Sequence, residues 1–116
     1  PTCCPGCGCV VDPDVQWCEA CLRKIWDPRL LNSSFTDHLS GCYTCCDYAG
    51  AIRDCIIQIK YGGRRSRKRV FPPLLSRFPW WDRMAECGLV IPIPLSARKK
   101  KWRGYNQVDL MFASFH

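Results

Sequence analysis

Residues 90–107 read VIPIPLSARKKKWRGYNQ. With Leu89 ahead of it, the run opens on Val90, Ile91 and Ile93, short and β-branched, the pattern of a buried strand. Pro92 and Pro94 cannot donate to a ladder, so the strand is expected to be ending or leaving its sheet there. Five cations then fall within the six residues Arg98 to Arg103, interrupted only by Trp102. Gly104 follows, and Asn106 is placed to cap a helix continuing over 107–114. Strand, basic loop, glycine and helix start is an order that holds an anion outside the carboxyl end of a strand. It makes Arg103, Gly104 and the amides near Asn106 candidate anion donors.

Working outward, the charge has the same emphasis. The net charge of +7 comes from 17 cationic and 10 acidic residues. Most cations lie in two clusters, Lys60, Arg64, Arg65, Arg67, Lys68 and Arg69, then Arg98, Lys99, Lys100, Lys101 and Arg103. No carboxylate separates Asp54 from Asp82. Solvated basic loops are the plain explanation of one such cluster. Two, each beside a glycine turn, point to a polyanion partner.

Toward the N-terminus stands the most specific chemistry. Cys4-Pro-Gly-Cys7-Gly8 forms one tight knuckle, and Cys18-Glu-Ala-Cys21 is expected to supply a second. Four thiolates so spaced can close on one Zn²⁺ at about 2.3 Å per bond, leaving no position open for catalysis. The loop between the pairs is slightly shorter than the commonest ribbon spacing. Disulfides or free thiols are the competing explanation, and Cys3 and Cys9 crowd the first knuckle. The 11 cysteines are an odd number, and paired spacing suits metal in a reducing compartment, so a cytoplasmic location is expected. A module this short buries no core alone, and metal would supply most of its folding free energy. Trp17 and Trp26 are expected to pack around the knuckles.

Three segments in order resemble one family. VIPIPLS, the basic loop and RGYNQ (90–107) are similar to the VPVPL…RGFNQ segment of ComF-type proteins. The paired cysteines at 4, 7, 18 and 21 and the segment from Asp47-Tyr48 through Arg53 to Ile59-Lys60-Tyr61-Gly62 fit as well. These proteins join a zinc finger to a phosphoribosyltransferase-like domain and are linked to competence for DNA uptake. The resemblance covers nearly the whole chain. It implies an α/β fold, a Cys₄ zinc ribbon over 1–31 followed by the N-terminal half of a phosphoribosyltransferase-like domain over 38–116. Ser96 to Arg103 would be the pyrophosphate-side loop, adding Ser96 and Arg98 to the anion site. The implied role is assistance with imported single-stranded DNA beside a helicase-like partner.

The rest of the chain is less specific. A short helix from Cys21 ends near Pro28, and 32–38 is a polar connector, the expected boundary. Leu39 to Tyr48 reads as a strand whose Cys42, Cys45 and Cys46 act as small hydrophobes, since no downstream pair completes a second zinc site. Ile52, Cys55, Ile56 and Ile59 share one face of a helix over 50–59, which a glycine at 62–63 ends in a left-handed cap. Arg64 to Arg69 is expected as a loop. Pro72 and Pro73 open a helix carrying Leu74, Leu75 and Phe78 before Pro79 stops it. Trp80 and Trp81 are core in preference to a stacking platform. His38 and His116, the only histidines, lie in no nucleophile–base arrangement.

At 116 residues the chain is one domain or a module joined to part of a larger one. The hydrophobic share of 47% marks it as globular, and no apolar run approaches the roughly 18 residues of a membrane span. Pro1 in place of Met suggests a fragment or a lost initiator, and no signal segment follows. Two functions compete. One is a ComF-like protein; the other is a free-standing zinc-ribbon module holding nucleic acid by charge, with Tyr61, Trp80, Trp81 or Trp102 stacking on bases. Transferases of this kind resemble one another in an acidic pair followed by Thr-Thr-Gly. The chain has none, so it is expected to be inactive alone, and to self-associate unless its apolar faces are covered.

Overall fold

In the computed structural model, residues 1–31 and 36–113 are described. Of the connector expected over 32–38, residues 32–35 lie outside the described residues, as do residues 114–116 with His116. Within that span the protein is a small, mixed, helix-rich domain with a two-stranded sheet and a cysteine cluster.

Cys3 bridges Val10 in antiparallel fashion, closing the first knuckle, and helix α1 follows over Glu19–Ile25. Strand β1 (Arg29–Leu30) pairs antiparallel with β2 (Tyr43–Thr44), Arg29 opposite Thr44 and Leu30 opposite Tyr43. The pairing extends at both ends, Asp27 N–H donating to the Cys45 carbonyl at 2.9 Å and Leu31 N–H to that of Cys42 at 2.7 Å. The strand expected over 39–48 is therefore two residues long. It pairs with the end of the cysteine module, and glycine at 41 and a charge at 47 bound it closely.

Helix α2 spans Gly50–Lys60 and buries Ile52, Cys55 and Ile59 while Arg53 and Asp54 face solvent. Ile56 is only half-buried. The apolar periodicity is thus realised, and Gly63 (φ 64°) takes the left-handed turn just past the helix end. Arg65–Val70 then forms a 3₁₀ helix where a loop was expected. Pro72 and Pro73 open α3 (Pro72–Leu75), where their missing N–H groups cost nothing. Helix α4 covers Trp81–Ala85. Phe78, Trp80, Trp81 and Tyr43 gather at centroid distances of 5.2 to 6.0 Å, edge-on except for the tilted Tyr43–Trp80 pair, so both tryptophans are half-buried packing.

The largest departure lies at 89–93. No strand forms there, and Leu89, Val90, Ile91 and Ile93 are exposed. The prolines withhold donors on alternate residues, and no neighbouring strand is present among the described residues to receive the others. Ser96 then caps helix α5 (Ala97–Arg103), Gly104 ends it, and Asn106 caps α6 (Gln107–Met111).

One core joins these parts. Cys4, Trp17 and Cys21 pack in a continuous cluster with Ile52, Cys55, Ile59, Val70, Phe71 and Leu74, with Leu22, Ile25 and Trp26 against its edge. Trp17 is 1% exposed, and its indole N–H donates to the Val70 carbonyl at 2.9 Å. The cysteine knuckle therefore leans on α2 and the 3₁₀ helix for its core.

Candidate metal centre and basic surface

Among the described residues, Cys4, Cys7, Cys18 and Cys21 alone gather as a group able to hold a metal, their sulfurs all within 4.8 Å of one another. Tetrahedral zinc with bonds of about 2.3 Å separates sulfurs by about 3.8 Å. Cys7 Sγ and Cys18 Sγ stand 3.7 Å apart and all four lie within 4.8 Å, an arrangement compatible with one such ion. The first pair sits on the knuckle, where Gly8 (φ 81°) turns the chain and the Gly6 N–H points at Cys4 Sγ from 3.4 Å. The second pair, expected as another tight knuckle, sits instead at the start of a helix. Cys18 is the N-cap of α1, its sulfur accepting from the Cys21 N–H at 3.4 Å, and Cys21 lies in the first helical turn. Both turns aim backbone donors at sulfur, which favours thiolate over thiol.

The sulfurs hold their protons unevenly. Burial alone would raise Cys4, but the backbone N–H groups of Cys18, Cys7 and Gly6 outweigh it and bring the thiol down to about 6. Cys7 is lowered by the Cys9 backbone N–H, then by the Cys9 thiol. Cys21 is pushed up to about 12, first because it donates to the Cys18 sulfur. Cys9 rises to about 12 because it donates to Cys7. Cys9 thus supports a ligand without joining the four, and exposed Cys3 stands apart. Cys46 is raised to about 11, and Cys45 and Cys55 are raised, in each case through burial, so these thiols behave as the small hydrophobes the sequence suggests.

The candidate anion residues divide between two places. Arg103, Gly104 and Asn106 lie at the junction of α5 and α6, against the end of α2, where the Tyr105 hydroxyl donates to the Ile59 carbonyl. The Arg103 guanidinium lies over Tyr61 at 5.5 Å and donates to Gln107, and Arg65 lies over Tyr105 at 4.4 Å. The Nε of Arg103 is buried without a hydrogen-bond partner. Ser96 and Arg98 stand at the far end of α5, about 10 Å along the helix. The basic loop expected from 96 to 103 is thus a helix, because Ser96 accepts from the Lys99 N–H at 3.3 Å and Lys and Arg are good helix formers. Asn106 is buried and its side chain is occupied, Oδ1 accepting from Val108 N–H at 3.0 Å and Nδ2 donating to the Ile93 carbonyl at 3.2 Å.

The two charge clusters touch at this junction through Arg65 and Arg103. Arg64, Arg65, Lys68 and Arg69 on the 3₁₀ segment and Arg98, Lys99, Lys100 and Lys101 on α5 are exposed, and Lys60, Arg67 and Arg103 are half-buried. The ion pairs of the described residues join Arg23 to Glu19 and Arg29 to Asp27 and Asp47; none reaches either cluster. Arg67 bonds neutral Gln58 at 2.7 Å. Sequence reasoning missed Tyr105, which sits under Arg65, and Gly6, which faces Cys21. The aromatic between the glycine and the cap was the available signal for the first. No family model matches this chain, and neither a curated protein nor a solved structure does so. No helix of the described residues is long and apolar enough to cross a membrane.

Proposed function

We propose that the chain is a zinc-stabilised module that holds single-stranded nucleic acid across the surface shared by the 3₁₀ helix and α5. The observation that carries this reading is Arg65 over Tyr105 and Arg103 over Tyr61, one cation from each charge cluster, neither with a carboxylate partner among the described residues. Unneutralised cations seek phosphates, and release of counterions drives the association. Tyr61 and Trp102, 65% and 72% exposed, offer ring faces beside the charges. The ComF resemblance supplies a cellular setting, handling of imported single-stranded DNA beside a helicase-like partner in the cytoplasm, with a phosphoribosyltransferase-like half that is inactive alone. Zinc is structural in either setting, held by Cys4, Cys7, Cys18 and Cys21.

Anisotropy of a labelled oligothymidine measured over a salt series tests the proposal. Affinity should fall steeply with salt, with a logarithmic slope of about −0.7 per phosphate neutralised. Replacing Arg65 and Lys100 by alanine should flatten that slope by about one to two contacts. Binding that ignores salt, or ignores both substitutions, would refute it.

A further inference from the structure

We infer that residues 89–102 form a docking arm for an anionic lipid bilayer. Leu89, Val90, Ile91 and Ile93 are 75, 78, 74 and 75% exposed, and Trp102 is 72% exposed. Isolated exposed apolar residues are ordinary; a contiguous run of them marks an interaction surface. The same stretch carries exposed Arg98, Lys99, Lys100 and Lys101, and no carboxylate lies between Glu86 and Asp109. The two features share one base, since Asn106 Nδ2 holds the Ile93 carbonyl at 3.2 Å and so closes the chain that carries α5 onto the end of the apolar run.

Of three occupants, charge and chemistry favour one. A second copy pairing through this run would set two basic helices side by side, and Pro92 and Pro94 would leave its ladder incomplete. A polynucleotide satisfies the cations but gives four aliphatic side chains nothing to stack on. A bilayer with anionic headgroups meets both needs. The aliphatic residues enter the boundary between headgroups and acyl chains, Trp102 sits at headgroup level, and the cations meet lipid phosphates and carboxylates. This surface uses none of the 3₁₀ cations but shares the α5 cations and Trp102 with the polynucleotide reading, and Leu89, Val90, Ile91 and Ile93 belong to it alone.

Flotation of the zinc-loaded chain with phosphatidylcholine vesicles, pure or with about a quarter phosphatidylserine, tests it. The chain should float with the anionic vesicles and not with the neutral ones. Ile91→Asp, and separately Lys99→Ala with Lys100→Ala, should each weaken partitioning by about tenfold or more. A blue shift of tryptophan emission on binding should disappear in Trp102→Phe. All these positions are exposed, and unchanged zinc content with an unchanged circular dichroism spectrum verifies the fold of each variant. Absence of the chain from anionic vesicles overturns the inference. So does vesicle binding that responds to salt but not to Ile91→Asp, which would be surface charge alone. An Ile91-dependent dimer in sedimentation without vesicle binding would assign the arm to a second copy. Oligonucleotide affinity lost in Ile91→Asp with no vesicle binding would assign it to nucleic acid.

Discussion

A methyl group at position 6 would stand 2.6 Å from Cys21 Sγ and 2.8 Å from its Cβ. The knuckle can close on the helix only because residue 6 has no side chain. Gly6→Ala should therefore weaken zinc binding and lower stability by roughly 2 kcal/mol or more, measured by chelator competition and thermal melting. The sulfurs add a pH dependence. The folded value of about 6 for Cys4 lies below its ordinary range, so its contribution is present in alkali and is lost as pH falls through 6. Cys21, raised to about 12, keeps its proton at neutrality and must surrender it to a metal. Both terms have the same sign for binding, and zinc affinity should drop by about tenfold or more per pH unit on acidification, read with a chromophoric chelator. The ligands were legible because paired Cys-x-x-Cys spacing is local. Gly6 was not, because its reason is a sulfur on a later turn.

At the level of elements, legibility followed how far each signal depends on neighbours. Helix α2 was plain from its periodicity, and Ile59, wholly buried on that face, gives the check. Ile59→Ala should cost roughly 2–5 kcal/mol in denaturant unfolding, while exposed Arg53→Ala should stay within about 0.5 kcal/mol. The Asn106 cap and the proline-opened α3 were equally local. The basic segments were not, since charge runs suggested loops, whereas Ser96 and Gly104 bracket a helix. Gly104 holds φ at 86°, a conformation costing other residues about 1 kcal/mol or more. Gly104→Ala should lose about that much in urea unfolding and disturb the seat of Arg103. The expected strand at 89–93 required a neighbouring strand, which sequence alone could not supply.

For the whole molecule, the shared core would make a metal bound by the four cysteines and the fold one system. Cys4 and Cys21 belong to the same buried cluster as α2, the end of the 3₁₀ helix and α3. Stripping zinc should therefore reduce helicity well beyond residues 1–31, and the holo chain should melt in a single transition. Circular dichroism with and without chelator measures the first, and calorimetry the second. Two separate transitions, with α2 indifferent to metal, would show that the cluster contributes little. Trp17→Ala should mimic chelation, at roughly 3–5 kcal/mol, a large part of the about 5–15 kcal/mol typical of a domain.

The indole of Trp17 meets a carbonyl 53 positions along the chain. Contacts of such separation form late, because much of the intervening chain must be ordered before they reward closure. Helix α2 can flicker into being within about a microsecond, and the first cysteine turn has its own backbone hydrogen bonds, but the two cysteine pairs gain a common partner only when an ion arrives. Refolding should then be paced by the free-ion concentration at low zinc and by docking of the indole at high zinc. A plot of refolding rate against zinc that rises and then levels would record the change of bottleneck.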